Sequence, residues 1–147
     1  MTTLNSRVQA LEAAEHAERL RHDYCFYTDI WRGDPARFEQ FAALFIEDGT
    51  WDDGDEEGAV QGRERMAEKL AELPRVFGLR IGIHYVANPL LGIDADGIDA
   101  HWQMICVVQA LGETKLGFVA GRYWERYCYQ NGVLAIASNV TLPAFFS

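Results

Sequence analysis

The sequence has few of the features that would place it in a membrane, an oxidising compartment or a nucleic-acid complex. Its three cysteines are odd in number, far apart and set among apolar residues, so we expect buried thiols in a reducing compartment. No run of about 18 apolar residues occurs, and the N-terminal segment lacks an apolar stretch flanked by basic residues. The net charge of −9 repels nucleic acid and anionic lipid. We therefore predict a cytoplasmic protein that binds neither nucleic acid nor membrane.

The length and composition favour one domain. With 147 residues, of which 49% are hydrophobic and 12% aromatic, the chain can bury a sizeable core. No internal repeat, low-complexity tract or linker divides it. We predict a single domain over residues 1–147.

Helical periodicity dominates the first half of the chain. Apolar residues recur at steps of three and four from Val8 to Trp31, which predicts one long amphipathic helix that ends near Gly33. A second helix is predicted after it, with an Asp-Pro pair at positions 34 and 35 as cap and first residue, and Gly49 as its end. A third helix is predicted in GRERMAEKLAELP, where Pro74 ends it.

The hydrophobic period then changes to two. Four segments rich in β-branched and aromatic residues follow one another: LRIGIHYVANPLLGID, GIDAHWQMICVVQA, KLGFVAGRYWERYCY and GVLAIASNVTLPAFF. Asn131 and Gly132 favour a type I′ hairpin turn, which needs positive φ at both central positions. Helices followed by an antiparallel meander predict an α+β domain in which three helices can cover one face of the sheet.

Asp29 stands out because its segment, DYCFYTDIW, is largely aromatic and apolar. The predicted helix end also disfavours a negative charge there. Asp29 points to water near Thr28 and Arg32, forms a surface pair with Arg32, or is enclosed with a partner from the sheet. Of the four histidines, His84 and His101 lie on predicted strands. A histidine on a strand is often structural, but His84 oriented by Asp29 could act as a base.

The order of the elements and three segments resemble SnoaL-like domains of the nuclear transport factor 2-like superfamily. These segments are YCFYTDIWRGDPARFEQFAALFIEDGTW, GAVQGRERM and GIHYVANPLLGIDADGIDA, and the resemblance runs from about Val8 to Leu142. It implies a cone-shaped barrel, in which a strongly bent, mainly antiparallel sheet wraps around the long N-terminal helix. A pocket would open at the wide end.

Within the superfamily the sequence is most similar to the branch of scytalone dehydratase, bile-acid dehydratase and hexachlorocyclohexane dehydrochlorinase. The resemblance implies a catalytic pair in which Asp29 matches an aspartate at the end of the first helix and His84 a histidine on a strand. Tyr24 matches a tyrosine of the bile-acid enzyme. His101 resembles the second histidine of scytalone dehydratase, although its spacing differs. The dehydrochlorinase and the bile-acid dehydratase carry an arginine on the final strand, and Asn139 stands near that place in this sequence. Because an asparagine cannot neutralise a leaving chloride, halide elimination is disfavoured.

These residues and the resemblance together predict a cofactor-independent lyase or isomerase of the dehydratase type. Its substrate would be a small hydrophobic, cyclic carbonyl compound bound in the cone pocket. His84 would remove a proton beside the carbonyl and return it to the departing hydroxyl, while Asp29 fixes the tautomer of His84. Tyr24 and Tyr27 would donate hydrogen bonds to the developing oxyanion. No metal or cofactor is expected.

Aromatic side chains could line such a pocket or simply fill the core. The candidates are Trp51, Trp102, Phe118 and Trp124. The acidic loop from Asp52 to Glu57 is interpreted as a solvated turn, with cation binding by paired carboxylates such as Asp52 and Asp53 as the alternative.

Two alternatives remain open at this stage. A polyketide-cyclase or ketosteroid-isomerase type of enzyme would use a carboxylate as its base, and a non-catalytic member would only bind a ligand or a partner protein.

The resemblance also implies a dimer or trimer built on the sheet. We expect an outer face carrying Trp102 and Trp124 to be buried against another subunit.

Overall fold

Helices occupy the first half of the chain and long strands the second, as the periodicities predict. The computed structural model describes residues 3–30 and 36–146. In chain order the elements are α1 (Leu4–Thr28), α2 (Ala36–Ala43), β1 (Phe45–Asp52), β2 (Val60–Gln61), α3 (Arg63–Val76), β3 (Leu79–Ile93), β4 (Gly97–Ala110), β5 (Gly117–Gln130) and β6 (Val133–Phe146).

The six strands form one sheet in the order β2-β1-β6-β5-β4-β3. All neighbours are antiparallel except β1 and β6, which run parallel. One-residue register shifts in the β3–β4 and β5–β6 pairs mark β-bulges, which increase local bend and twist, and the β1–β6 pairing is interrupted between Phe45 and Thr50. The α+β prediction, with three helices and a strongly bent, mainly antiparallel sheet around a long N-terminal helix, is confirmed. The sheet curls without closing, so β2 and β3 remain its edges.

The first helix is shorter at its C-terminal end than its apolar periodicity predicts. It ends at Thr28 rather than near Gly33, because Asp29 has an extended backbone with ψ of 129°. The next residue, Ile30, forms a two-bond bridge with Gly82 of β3, with N–O distances of 2.7 and 3.2 Å. Pairing with the sheet therefore stops the helix.

The buried side of α1 also differs from the expected stripe. Leu4, Val8 and Leu11 are exposed, so the first turns have no cover within the described chain. The buried positions are Ala13, Ala17, Arg21, Tyr24, Cys25 and Thr28. Neither α1 nor another helix of the described ranges combines the length and apolar character needed to cross a membrane.

The second helix ends at Ala43, so the prediction that it continues to Gly49 is wrong. Phe45 instead begins β1, which pairs with β6. The main chain enters the sheet already at Leu44, whose carbonyl accepts a hydrogen bond from the N–H of Ile136 at 2.9 Å. Sheet pairing over a long sequence separation thus overrides a locally helical spacing.

Two further details concern the helix ends. The predicted cap and first residue of the second helix, Asp34 and Pro35, lie outside the described residues, as does Trp31. Pro74 does not end α3, which continues to Val76. A proline in the last turn removes one donor, and the turn is still closed by the hydrogen bond from Phe77 N–H to the Leu73 carbonyl at 2.9 Å.

The four long strands lie where the period of two predicts them, and the last hairpin turn has positive φ at both Asn131 (53°) and Gly132 (79°). The expected outer face is wrong in one respect. Trp102 pairs in register with Tyr123 and Trp124 with His101, so the two tryptophans lie on opposite faces. Trp102 is 3% exposed on the inner face, whereas Trp124 is 47% exposed on the outer face.

A fully buried ion pair lies between α1 and the inner face of the sheet. Arg21 Nη1 lies 2.6 Å from Glu125 Oε1, and both side chains are inaccessible to water. The guanidinium is enclosed between two aromatic rings, with Cζ 3.7 Å from the centroid of Tyr24 and 3.6 Å from that of Tyr123. Cation–π contacts thus replace part of the hydration that burial removes.

The carboxylate of this pair anchors a wider hydrogen-bond network. Glu125 also accepts from Asn139 Nδ2 at 2.9 Å and from the hydroxyl of Tyr127. Asn139 Oδ1 in turn accepts from the Tyr24 hydroxyl at 3.3 Å. The carboxylate and the amide therefore both have partners, as buried polar groups require.

Replacing Arg21 with Met should lower the free energy of unfolding by about 3–5 kcal/mol, because Glu125 would remain buried without a countercharge. Urea denaturation followed by tryptophan fluorescence measures this change. Arg19→Met is the matched control, since Arg19 belongs to the same helix but forms an exposed pair with Glu15. Equal unfolding midpoints for the two variants would contradict a structural role for the buried pair.

Candidate active site

A cavity of about 310 Å³ opens between the end of α1, α3 and the concave face of the sheet. Its walls are mostly apolar. They include Ile30, Leu70, Leu73, Phe77, Leu79, Met104, Val108, Val119 and Pro143, while the polar side chains at the cavity are Tyr24, Thr28, Asp53, His84 and Thr141. A concave, largely apolar space with a few convergent polar groups is the usual form of a small-molecule site.

Asp29 and His84 meet at this cavity. Asp29 Oδ1 lies 3.0 Å from His84 Nδ1 and accepts the main-chain N–H of His84 at 2.8 Å. The side chains are only 13% and 17% exposed, respectively. The predicted contact between the two side chains is therefore present. Because an ionised carboxylate can only accept, Nδ1 carries the hydrogen of a neutral ring and Nε2 keeps its lone pair.

The local backbone explains how these two residues are brought together. Asp29 is the C-cap of α1, and its own N–H donates to the Cys25 carbonyl at 3.0 Å. The bridge between Ile30 and Gly82 then joins the chain beyond α1 to β3, two positions before His84. A Cβ on Gly82 would lie 3.3 Å from Ile30 Cδ1, so a larger residue would require the Ile30 side chain to shift by a few tenths of an ångström.

A cation covers the end of the helix. Arg37 Nη2 donates to the carbonyl of Tyr27 at 2.9 Å, to that of Phe26 at 3.4 Å and to that of Asp29. These carbonyls belong to the last turn, where the helix has no N–H groups of its own left to offer. The positive charge also opposes the helix dipole, which would otherwise disfavour the Asp29 carboxylate.

Thr28 and Cys106 are neighbours of His84 that the sequence did not single out. Thr28 Oγ1 donates to the Tyr24 carbonyl at 2.9 Å and lies 3.4 Å from His84 Nδ1. Cys106 pairs with His84 across β3 and β4 and lines the cavity. Burial, with a smaller contribution from the Asp29 charge, raises the pKa of the Cys106 thiol to about 12. Cys106 is therefore a neutral wall rather than a nucleophile at ordinary pH.

Tyr24 lines the cavity, but its hydroxyl already has two partners. It accepts from Trp51 Nε1 at 2.8 Å and donates to Asn139 Oδ1 at 3.3 Å. Burial raises the pKa of the Tyr24 phenol well above its usual value, and the charge of Arg21 offsets this only in part. In this geometry the hydrogen of the Tyr24 hydroxyl is already donated to Asn139. This conflicts with the expected donation of a hydrogen bond to a substrate oxyanion.

The other expected ligand contacts divide between the two faces of the sheet. Trp51 lines the cavity, and Trp102 and Asn139 are buried inside the domain without lining it. Tyr27 is half-buried outside the lining. His101 and Phe118 lie on the outer face, where His101 stacks on Trp124 with ring centroids 5.3 Å apart. Their expected contact with a ligand in this cavity is wrong, because strand alternation turns them away from it.

The acidic loop is not simply solvated, which corrects its interpretation as a turn in water. Asp53 Oδ1 and Asp55 Oδ1 lie 2.7 and 2.9 Å from Lys69 Nζ, and Lys69 is only 2% exposed. The Gly58 carbonyl accepts from the same ammonium at 2.9 Å. Helical spacing places Lys69 on the same face of α3 as Met66 and Leu73, but the sequence alone does not show that the acidic loop supplies its partners. No three histidine, cysteine or acidic side chains of the described chain gather as ligands for a metal ion.

Several solved structures share this fold. A protein of Novosphingobium aromaticivorans assigned as a scytalone dehydratase is 17% identical over 94% of this chain and 88% of its own, with a TM-score of 0.77. A hexachlorocyclohexane dehydrochlorinase, LinA-type3 of Novosphingobium barchaimii, is 19% identical over 96% and 90%, with a TM-score of 0.76. The protein ActVI-ORFA of Streptomyces coelicolor is 16% identical over 88% and 96%, with a TM-score of 0.71.

No curated protein sequence matches the chain significantly. The family model of the SnoaL-like domain, by contrast, matches residues 9–139. This span includes both members of the Asp29–His84 pair and every residue that lines the cavity except Thr141 and Pro143. The chain therefore belongs to the family of SnoaL-like domains, within the nuclear transport factor 2-like fold, as its resemblance indicated.

Proposed function

We propose that this protein is a cofactor-independent lyase or isomerase that removes a proton beside a carbonyl group. As a lyase it would then expel water. The observation that carries the proposal is the 3.0 Å contact between Asp29 Oδ1 and His84 Nδ1 at the wall of a largely apolar cavity. An oriented base and a site sheltered from water are what such a reaction needs.

In this mechanism His84 Nε2 takes the proton from the substrate carbon. Asp29 holds the ring in the tautomer whose lone pair is at Nε2 and stabilises the imidazolium that forms. A positioned base of this kind accelerates proton transfer by about 100- to 10,000-fold. Since Asp29 Oδ1 already accepts two hydrogen bonds from His84, the histidine is better placed than the carboxylate to act as the base.

The cavity supports a small hydrophobic substrate, such as a compound with one or two rings. Its volume of about 310 Å³ lies at the low end of the range of small-molecule pockets. An interior filled with side chains would have favoured a protein that only binds a partner. The similar structures include proteins named for a dehydratase and a dehydrochlorinase, which are elimination enzymes.

Replacing His84 with Ala should abolish turnover, and replacing Asp29 with Asn should slow the chemical step by orders of magnitude while substrate still binds. The amide of asparagine can stabilise the wrong tautomer of the ring. Absorbance of the conjugated enone formed from a panel of cyclic β-hydroxyketones measures turnover.

His101→Ala is the matched control, because His101 lies on the neighbouring strand but faces away from the cavity. Its turnover should equal that of the wild type. Unchanged turnover in His84→Ala would refute the mechanism. A larger loss from Asp29→Asn than from His84→Ala would instead identify a carboxylate base, as in the ketosteroid-isomerase type of enzyme.

Replacing Tyr24 with Phe should affect stability more than chemistry. The change leaves the Trp51 N–H and the Asn139 carbonyl oxygen buried without this partner, which costs about 1–3 kcal/mol of unfolding free energy. Turnover per folded molecule should stay within about tenfold of the wild type. Urea denaturation and enone absorbance on the same samples separate the two effects. A loss of turnover as large as that of His84→Ala at unchanged stability would restore the hydroxyl as a substrate donor.

We also infer that the protein associates with itself through the outer face of the sheet. Ile105, Phe118 and Trp124 are each about half exposed there, and burying these side chains against a second copy would remove apolar surface from water. Sedimentation at micromolar concentration should give a dimer or trimer, which Trp124→Glu should weaken and Leu11→Glu, on the exposed start of α1, should not. A stable species near 16.6 kDa for the wild type would contradict this inference.

A further inference from the structure

We propose that Asp53 is a second catalytic residue, the acid that donates a proton to the departing hydroxyl group of the substrate. This inference rests on the proposed function, because it assigns the leaving-group step of the elimination that His84 would begin. It also narrows the substrate class to cyclic carbonyl compounds with a hydroxyl group at the β carbon.

The position of Asp53 is the first support. It directly follows β1, which lies next to the edge strand β2, whereas His84 belongs to β3 at the opposite edge of the sheet. Both residues line the same cavity. Its side chain is only 10% exposed. The cavity therefore has two groups able to transfer protons, and they belong to different walls.

The contacts of Lys69 give the second support. Its ammonium has three hydrogens, and three oxygens lie within 3 Å of it: Asp53 Oδ1 at 2.7 Å, Asp55 Oδ1 at 2.9 Å and the Gly58 carbonyl at 2.9 Å. Both carboxyl oxygens of Asp53 are buried, and apart from the ion-pair contact of Oδ1 with Lys69 neither has a hydrogen-bond partner among the described residues. Lys69 thus holds the carboxyl group beside the cavity, where the protein does not satisfy its hydrogen-bonding capacity.

The two carboxyl groups that share Lys69 differ in their tendency to hold a proton. Burial raises the pKa of Asp53 despite the opposing ion pair with Lys69. For Asp55 burial acts in the same direction, but hydrogen bonds from Lys69 and from the Gly58 main chain outweigh it and lower the pKa. Of the pair, Asp53 is the one suited to donate a proton, while Asp55 stays ionised and holds the lysine.

The chemical step balances without a further reactant. His84 Nε2 takes the proton from the α carbon, the electron pair of the C–H bond becomes the new C=C bond, and the C–O bond at the β carbon breaks with its electrons on oxygen. The proton of Asp53 passes to that oxygen, so that water leaves. Solvent then removes the proton from the imidazolium and returns one to Asp53. Protonation matters because hydroxide is a poor leaving group, and a positioned acid contributes about 100- to 10,000-fold.

The test separates proton removal from loss of the leaving group. Cyclohexanone has an α proton but no leaving group, so deuterium uptake from D₂O, followed by mass spectrometry, reports on His84 alone. β-Hydroxycyclohexanone reports on the whole elimination through enone absorbance. Asp53→Asn should lower dehydration at least about 100-fold and leave deuterium uptake within a few fold of the wild type, whereas His84→Ala should abolish both.

Asp52→Asn is the matched control, because Asp52 directly precedes Asp53 but accepts a hydrogen bond from the Gly54 N–H at 2.9 Å and does not line the cavity. It should leave both rates within a few fold of the wild type, and urea denaturation verifies that both variants fold. Elimination of acetate from β-acetoxycyclohexanone distinguishes a proton donor from a residue that only maintains the structure of the site. Acetate leaves without being protonated, so Asp53→Asn should eliminate it at nearly the wild-type rate above background.

The outcomes that overturn the inference are distinct from failure of the proposed function. If Asp53→Asn dehydrates β-hydroxycyclohexanone normally, or if Asp52→Asn loses as much as Asp53→Asn, then Asp53 is not the acid. An equal loss of hydroxyl and acetoxy elimination in Asp53→Asn would have the same meaning. If the wild type takes up no deuterium into cyclohexanone above background, the proposed proton abstraction itself fails.

Discussion

Asp29 Oδ1 accepts two hydrogen bonds from His84, one from the main-chain N–H and one from the ring. This double contact places a carboxylate at the C-terminal end of a helix, where the helix dipole disfavours it. Arg37 lowers that cost by donating to the last carbonyls of α1, and the bridge between Ile30 and Gly82 fixes the distance between helix and strand. The position of the ring, and with it the chemistry of the cavity, follows from these local contacts.

A buried network of ion-pair and hydrogen-bond contacts lies behind the cavity. Arg21 and Glu125 lie in the interior with no access to water, and the network continues through Asn139 to Tyr24. Such a network contributes little net stability over an apolar core, because desolvation offsets the attraction, yet it penalises every packing that leaves a member unpaired. It therefore fixes the rotation of α1 against the sheet, and with it the wall that Tyr24 provides.

The sequence predicts features whose cause is local. A period of two over four long segments locates β3 to β6, and Asn131 with Gly132 predicts the last turn because few other residue pairs tolerate positive φ twice. Asp29 could be paired with His84 in advance because a carboxylate among aromatic residues needs a partner, and the family resemblance supplied one. Phe45 was misassigned because its spacing suits a helix, although pairing with β6 decides its structure.

Features that depend on distant residues could not be predicted in this way. Arg21 looks like an ordinary polar position of a helix, and only the fold brings Glu125, on β5, into contact with it. Lys69 is concealed in the same manner, since its acidic partners lie on a loop that reads as solvated. The face of Trp102 depends on the bend of the sheet, which determines the inner side.

The central claim is that Asp29 holds His84 in the tautomer with its hydrogen on Nδ1 and its lone pair on Nε2. Nitrogen-15 NMR of histidine-labelled protein, at a pH where the ring is neutral, tests this most directly, with His84→Ala used to assign the signals. The account predicts a protonated Nδ1 and an unprotonated Nε2 for His84, and a change in this pattern in Asp29→Asn. A His84 ring protonated at Nε2 in the wild type, or a pattern unaffected by Asp29→Asn, would contradict the account.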